Sequence, residues 1–246
     1  MIAPGVDGVQ PAARAREGDA SLPGLALAQR RTSLVTALLL PTSALVSLYF
    51  ATLAPLALLG PVALALLVRG MQSFGSRHNT LPNAVTALRV MLTGLLALCS
   101  QQPWCTPHVA ALTVLLIFAL DGLDGVLARS LHASSAQGAH FDMESDAYLV
   151  LTVCSLHALA GHGAWVLTGG LLRYAYSLAT TLFPSRGEAP RTRLGRYAFA
   201  ASLGCLTVAL VVPAALCVGL AALGTAILLW SFGRSFWWAF AAQTKP

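Results

Sequence analysis

The chain has 246 residues, of which 57% are hydrophobic and only 10% are charged. Soluble domains usually carry about 25% charged residues, so this composition excludes an ordinary soluble domain and indicates an integral membrane protein built as one helical bundle. The formal net charge of +6 does not indicate nucleic acid binding, because that would require basic residues clustered on one face with aromatic or polar partners.

The first 69 residues are predicted to form a tail followed by a membrane hairpin. Residues 1–32 are polar and rich in Ala, Gly, Pro and Arg without hydrophobic periodicity, which is typical of a disordered cytoplasmic tail. The apolar stretch 33–68 is nearly twice the about 20 residues that one transmembrane helix needs, so we expect a hairpin over 33–69 with a turn near 51–55. Arg30 and Arg31 resemble a twin-arginine export signal, but the continuing second span favours a cytoplasmic anchor.

The rest of the chain predicts six further helices. A third span covers 84–100, with Pro82 suited to the first turn of its helix. The next apolar run, 109–120, has only 12 residues, so its helix must continue through an acidic stretch to about residue 129 in order to cross the membrane. After a loop at 130–137, we expect helices at 138–160, 164–183, 195–212 and 214–232. The prediction is therefore about eight transmembrane helices, with a main membrane domain at 80–235 and a C-terminal tail at 236–246.

The distribution of Lys and Arg predicts the orientation. Basic residues occur in the tails, on alternate loops and at the adjoining helix ends, and only Arg173 falls in the middle of a predicted span. By the positive-inside rule, both termini and these loops face the cytoplasm. The basic excess then reflects orientation and contact with anionic lipid head groups. The expected location is a membrane of the bacterial inner-membrane type.

An acidic stretch at 121–146 holds five of the nine acidic residues of the chain. At about 1.5 Å per residue, Asp121 lies about 18 Å along its helix from Val109, and Asp146 lies about 21 Å from Ala160 on the returning helix. The two acidic groups therefore lie at one depth on antiparallel neighbours. Positions 121, 124 and 128 share a helix face, as do 138, 142 and 146. Two carboxylates from each helix are predicted to converge: Asp121, Asp124, Asp142 and Asp146.

Four converging carboxylates in a low-dielectric setting repel one another unless cations lie between them. Oxygen-only ligands favour Mg²⁺, Mn²⁺ or Ca²⁺ over zinc, and this many carboxylates can bridge two ions. The commonest chemistry of such sites is displacement at phosphorus. Gly122 and Gly125 would let a phosphate approach the helix backbone, and Arg129 would offer a planar cation.

Simpler explanations cover some of these residues. A single acidic residue at a helix end often contacts only water and head groups, whereas a buried array is usually functional. An EF-hand is excluded, because its acidic pattern is absent and His132 stands where the bidentate acid should fall. The five cysteines have no C-x-x-C spacing, which indicates buried apolar roles rather than zinc or redox chemistry.

The acidic stretch resembles the motif of the CDP-alcohol phosphotransferase (CDP-alcohol phosphatidyltransferase) family, D-x2-D-G-x2-A-R-x8-G-x3-D-x3-D. All eight fixed places are filled with the family's spacing, by Asp121, Asp124, Gly125, Ala128, Arg129, Gly138, Asp142 and Asp146. The segment "PNAVTALR" resembles the first-helix pattern through Asn83, Thr86 and Arg89. The resemblance covers roughly residues 80–235 and implies that this is the catalytic membrane domain. It further implies an all-α bundle of six helices, usually in a homodimer, to which the 33–69 hairpin would be an addition.

The resemblance also implies an activity. A phosphatidyl or other substituted phosphoryl group would pass from a CDP-alcohol such as CDP-diacylglycerol to an acceptor alcohol, with release of CMP, in phospholipid biosynthesis. Asp121, Asp124 and Asp142 would hold two Mg²⁺ (or Mn²⁺) ions, with Asp146 as a further ligand and the general base. The residues that would bind the CDP half are Gly125, Ala128, Arg129, Gly138, Asn83 and Thr86.

The acceptor is less defined. Arg173 in mid-span and Arg191, Arg193 and Arg196 in the next inside loop could bind a phosphate, as in glycerol 3-phosphate or an inositol phosphate. Topology is the better explanation of Arg191 and Arg193, but it does not explain Arg173. Glu144 points away from the face of Asp142 and Asp146, so it either supports the site indirectly or faces lipid. His140 is interpreted as an interfacial histidine.

Two other functions are compatible with acidic residues in a membrane. A magnesium-dependent prenyltransferase also uses paired aspartates, but its motifs should lie on helices farther apart in sequence, and it does not need the A-R-x8-G element. An ion-coupled transporter would favour acidic residues on separate repeats, and the sequence has no internal repeat.

Overall fold

The computed structural model describes residues 31–72, 80–130, 136–185 and 192–241, together with Ala189. For 70–72, 80–83, 123–130, 136 and 137 only the backbone is described. Within these ranges the chain is α-helical and has no β-strand, which confirms the predicted all-α class. The helices in these ranges are α1 (Arg31–Tyr49), α2 (Ala54–Gln72), α3 (Thr80–Cys99), α4 (Pro107–Ser130), α5 (Ala136–His157), α6 (Leu167–Leu182), α7 (Arg193–Ala209) and α8 (Ala214–Phe240).

The N-terminal hairpin of α1 and α2 packs onto the rest of the bundle. Its turn is closed by Ser47, whose hydroxyl accepts a hydrogen bond from the backbone N–H of Leu56 at 3.2 Å. The hydroxyl of Tyr148 on α5 donates to the carbonyl of Leu56 at 3.1 Å. A Cβ on Gly60 would fall 2.3 Å from the ring of Tyr148, so only glycine permits this close approach. The hairpin is therefore joined tightly to α5.

The helix α5 is the centre of the bundle, because it contacts α2, α3 and α6 and is buried on nearly all sides from Ala147 to Ser155. A Cβ on Gly170 of α6 would lie 2.8 Å from the Cα of Leu151. The absence of a side chain at this position lets α6 approach α5 closely. Acidic side chains in the first half of α5 consequently contact both α3 and α6.

Several helices are long and apolar. Among the described residues, Arg31–Tyr49 and Ala214–Phe240 are long and apolar enough to cross a membrane, and shorter apolar helices cover Ala54–Arg69, Ala84–Cys99 and Pro107–Gly122. Large hydrophobic side chains are exposed on the outer surface, including Leu112 at 66% and Trp237 at 76%. The predicted number of transmembrane helices stays a prediction.

The helix bounds differ most from the predicted ones at the end of α8 and after α5. α8 continues to Phe240, past the predicted tail boundary at 235, because Phe236 packs against Tyr176 at a centroid distance of 5.1 Å and stacks on Phe240. After α5 the chain forms a π-helical turn, Ala158–His162, in which Gly161 has φ of +88°. α4 does continue through the acidic stretch to Ser130, as the shortness of its apolar part predicts.

Candidate active site

Three carboxylates from two helices meet at one end of the bundle. Asp121 comes from α4, and Asp142 and Asp146 come from successive turns of α5. One oxygen from each of the three lies within 4.8 Å of the others. Their side chains are 29%, 28% and 22% exposed, so a ligand can reach them. The i, i+4 spacing on α5 and the antiparallel arrangement of α4 and α5 account for this convergence.

Arg89 of α3 lies among these carboxylates. Its Nη1 is 2.8 Å from an oxygen of Asp121 and 2.8 Å from an oxygen of Asp142, and its Nη2 donates to Asp146. The Arg89 side chain is only 1% exposed. Its guanidinium balances one of the three acidic groups described here, and the cluster keeps an excess of acidic groups that a bound cation would compensate.

The chemistry of the donor set fits a divalent metal ion. All the candidate ligand atoms in this cluster are carboxylate oxygens, which favour Mg²⁺ or Mn²⁺ over softer metals. The excess negative charge around a buried arginine adds an electrostatic reason for a cation to bind. The residues present therefore fit one or more divalent ions.

Sequence reasoning did not assign Arg89 to the carboxylate cluster. The residue was interpreted as a cytoplasmic charge and as part of a first-helix pattern. The signal that could have identified it is its position nine residues into the apolar helix α3, since a charge so far inside a span is usually paired and functional. Thr86, a predicted CDP-binding residue, is buried at 3% exposure one turn earlier on α3.

Several other predicted residues lie outside the described side chains. Asp124, Gly125, Ala128 and Arg129 belong to the α4 helix, and Asn83 to the start of α3, but only their backbone is described. Gly138 lies in the first turn of α5. The roles of these residues in holding metal or CDP stay predictions.

A second buried ion pair lies on another face of α5. Arg173 of α6 donates to Glu144 at 2.9 Å, with side-chain exposures of 8% and 1%. Of the two expectations for Glu144, the one that it faces lipid is therefore wrong. The reason is the close approach of α6 at Gly170, which brings Arg173 opposite Glu144. The other carboxylate oxygen of Glu144 is buried without a hydrogen-bond partner among the described residues.

A cavity of about 480 Å³ connects the two ion-pair sites. Asp121, Asp142 and Asp146 lie on its wall with Arg173 and Arg196, whereas Arg193 does not line it. Much of the remaining wall is apolar or aromatic. The wall also includes Arg234 of α8, which the sequence analysis did not single out. These further wall residues include Phe118, Val150, Phe199, Trp230, Phe232 and Arg234.

A family profile described as CDP-alcohol phosphatidyltransferase matches residues 79–241, which is well over half of the chain. The protein belongs to this family. Comparison with curated proteins and with solved structures gave no significant match. The matched region begins just before α3, so α1 and α2 lie outside it.

Membership of the family implies an enzyme that uses a CDP-alcohol substrate and an alcohol acceptor. It suggests transfer of a phosphatidyl group from the CDP-alcohol, in phospholipid biosynthesis and in association with a membrane. The family is generally dependent on divalent metal ions. The carboxylate cluster described above offers acidic groups that could bind such an ion.

Proposed function

We propose that the protein is an integral membrane enzyme that transfers the phosphatidyl group of CDP-diacylglycerol to a hydroxyl of a small phosphorylated alcohol, releasing CMP. The observation that carries this proposal is a cavity whose wall combines Asp121, Asp142 and Asp146 with three arginines and an apolar surface. The carboxylates suit the metal-bound diphosphate, the arginines suit an acceptor phosphate, and the apolar wall suits an acyl chain.

The carboxylates are proposed to act in two ways. Asp121, Asp124, Asp142 and Asp146 would hold two Mg²⁺ or Mn²⁺ ions, which when bound would neutralise the diphosphate and the departing CMP. Asp146 takes the proton of the acceptor hydroxyl at a carboxylate oxygen, and the acceptor oxygen then attacks the β-phosphorus in line. Through its two terminal nitrogens, Arg89 orients Asp146 relative to the other two carboxylates.

The CDP half is proposed to bind along α4 and the start of α5. The residues proposed for this role are Gly125, Ala128, Arg129 and Gly138 together with Asn83 and Thr86. Support comes from Gly122, one helical turn before Gly125, which is exposed; among the described residues, no atom outside its own stretch of helix lies within 4 Å of where a Cβ would be. A phosphate can therefore approach the α4 backbone beside Asp121.

The acceptor phosphate is proposed to bind Arg173 and Arg196, with Arg193 as an outer contact. Arg173 and Arg196 lie on the wall of the same cavity as Asp146. Arg173 is paired with Glu144 through one of its nitrogens. The guanidinium has further N–H groups that can donate to a phosphate, but the pair as a whole supplies little net charge. Arg196 is exposed and would add the net positive charge that a phosphate requires.

The bundle is proposed to span a membrane, with six family helices, the additional hairpin and both termini in the cytoplasm. Exposed apolar side chains such as Leu112 and Trp237 support this arrangement, since soluble monomers rarely expose contiguous apolar surfaces of this kind. The turns at the end opposite the carboxylates carry no Lys or Arg, which supports the cytoplasmic orientation of the active site. A homodimer in a membrane of the bacterial inner-membrane type completes the proposal.

The test is a CMP-release assay on purified protein with CDP-diacylglycerol and Mg²⁺. Glycerol 3-phosphate and an inositol phosphate should support release, whereas glycerol and inositol should support much less. A chelator should stop the reaction, and Mg²⁺ or Mn²⁺ should restore it. Release with the unphosphorylated alcohols alone would reject the proposed acceptor class. Consumption of an isoprenyl diphosphate without any CMP release would overturn the proposed reaction in favour of a prenyltransferase.

A further inference from the structure

A second cluster of reactive side chains lies far from the carboxylates. His157 ends α5, His162 ends the π-helical turn that follows, and Cys217 lies in the first turn of α8. Since α5 rises about 1.5 Å per residue, His157 lies about 22 Å along this helix from Asp142. The cluster is thus at the opposite end of the bundle, and no step of the proposed reaction uses it.

The distances in this cluster are close to those of a metal site. The Nδ1 atoms of His157 and His162 are 3.0 Å apart, and the Sγ of Cys217 is 3.5 Å from the Nδ1 and 3.3 Å from the Nε2 of His162. One ligand atom from each of the three residues lies within 4.8 Å of the others. With zinc–nitrogen and zinc–sulfur bonds of about 2.0 and 2.3 Å, the edges of a tetrahedron are about 3.3 Å between nitrogens and about 3.5 Å between nitrogen and sulfur. The His157–His162 and His162–Cys217 separations are therefore already near the values of a metal site, and the third pair lies within 4.8 Å.

The hydrogen bond of His157 leaves one nitrogen available as a ligand. Its Nε2 lies 2.9 Å from the carbonyl oxygen of Leu206. Because a carbonyl can only accept, this nitrogen carries the proton, and Nδ1 of the neutral ring presents a lone pair to His162. Metal-binding histidines almost always donate their other N–H in this way, commonly to a backbone carbonyl.

The local fold holds the three groups in place and leaves access to them. His157 is completely buried and Cys217 is 1% exposed, whereas His162 is half-buried. A cavity of about 510 Å³ reaches His162 and Cys217, and Cys105 also lies on its wall. An ion can therefore enter from this side, and a water from the cavity can complete a fourth position.

We propose that His157, His162 and Cys217 form a second metal site that binds a borderline-soft transition-metal ion, zinc or copper. Two imidazoles and a thiolate suit these ions and not Mg²⁺. On binding, the Cys217 thiol loses its proton to solvent and the sulfur becomes a metal ligand. The ion then joins the end of α5 to the start of α8 across 55 or more residues of sequence. This inference does not depend on the proposed phosphatidyl transfer.

The test measures metal binding to the purified full-length chain. Protein stripped with a chelator is first saturated with Mg²⁺, so that the carboxylate cluster is filled, and then equilibrated with Zn²⁺ or Cu⁺. We expect one tightly bound ion per chain, measured by mass spectrometry after desalting. C217S and H162Q should each weaken binding at least about tenfold. Zinc should also raise the thermal unfolding temperature of wild type but not of C217S.

Matched controls separate this site from other binding. H108Q removes an exposed histidine of α4, and C205S removes a half-buried cysteine of α7, so both should bind zinc as wild type does. D142N should retain the zinc that survives Mg²⁺ saturation. In the Co²⁺-loaded protein, a thiolate-to-metal charge-transfer band should be present in wild type and absent in C217S.

Two results would overturn the proposal. One is wild-type protein that retains neither zinc nor copper, which would leave His157 and His162 as a hydrogen-bonded pair. The other is metal binding that is unchanged in both C217S and H162Q. Because His162 is half-buried in a turn, H162Q is expected to fold even if C217S does not, and the two variants give independent answers.

Discussion

Acidic residues of the helix α5 pair with two buried arginines, and the two sites differ in their charge balance. On one face, Arg89 contacts Asp121, Asp142 and Asp146. On another face, Arg173 contacts Glu144, the acidic residue between Asp142 and Asp146 in sequence. Among the described side chains, the first site has three acidic groups and one arginine, whereas the second has one of each.

This difference indicates different tasks for the two arginines. A balanced buried pair is complete, and removing either partner leaves an uncompensated charge in a medium that solvates it poorly. At the site around Arg89, the acidic groups outnumber the arginine, and their side chains remain 22–29% exposed. We therefore expect substitutions there to change chemistry and metal binding, and substitutions at the Arg173 pair to change stability and acceptor binding.

The largest expected effect is the loss of turnover in Asp142→Asn. The substitution removes a proposed metal ligand and a contact of Arg89 while keeping the side-chain volume. The rate of CMP release should fall by on the order of 10³-fold or more, because the variant loses a metal ligand that helps to stabilise the negative charge of the transition state. The unfolding temperature should change little, because the excess of negative charge is relieved. A folded variant with wild-type activity and metal affinity would contradict the proposed metal site.

The second effect concerns Asp146, which contacts Arg89 and faces the cavity. If it is the general base, Asp146→Asn should lower kcat by about 10²- to 10⁴-fold while CDP-diacylglycerol still binds with Mg²⁺. If it is mainly a metal ligand, Mg²⁺ and CDP-diacylglycerol should bind more weakly together. Titration of Mg²⁺ against both binding and CMP release separates these roles. Recovery of near-wild-type kcat at high Mg²⁺ would reject Asp146 as the obligatory base.

The third prediction tests the balanced pair. Arg173→Met alone leaves Glu144 buried without its partner, and we expect a loss of about 3–5 kcal/mol in the free energy of unfolding. Combining it with Glu144→Gln removes both charges and should restore most of this stability. In the double variant, the KM for a phosphorylated acceptor should remain raised by about 10- to 100-fold, while the KM for CDP-diacylglycerol changes little.

The double variant separates two interpretations of Arg173. Thermal unfolding in detergent measures the structural contribution, and the two KM values measure the contact with substrate. If restoring stability also restores the acceptor KM, Arg173 acts only through the fold. Equal increases in both KM values would instead assign it to the nucleotide or to the general shape of the cavity.

Local patterns predicted much of this arrangement, and long-range packing determined the rest. The 12-residue apolar run before Asp121 predicted that α4 continues through the acidic stretch, and the i, i+4 spacing predicted that Asp142 and Asp146 share a face. The partners of Arg89 and Glu144 depend on which helices pack beside α5. That choice depends on close approaches such as Gly170 against Leu151, and no pattern within one helix specifies it.

The smallest expected effect distinguishes two arginines one turn apart at the start of α7. Both are exposed, but Arg196 lines the cavity and Arg193 does not. Arg196→Ala should raise the KM for a phosphorylated acceptor about two- to fivefold, the scale of an exposed charge contact, whereas Arg193→Ala should change it less than about twofold. High salt should reduce the difference, because exposed charges are screened. Equal effects of the two substitutions would mean that this loop acts through its overall positive charge, as positive-inside topology requires, and that Arg196 does not contact the acceptor phosphate.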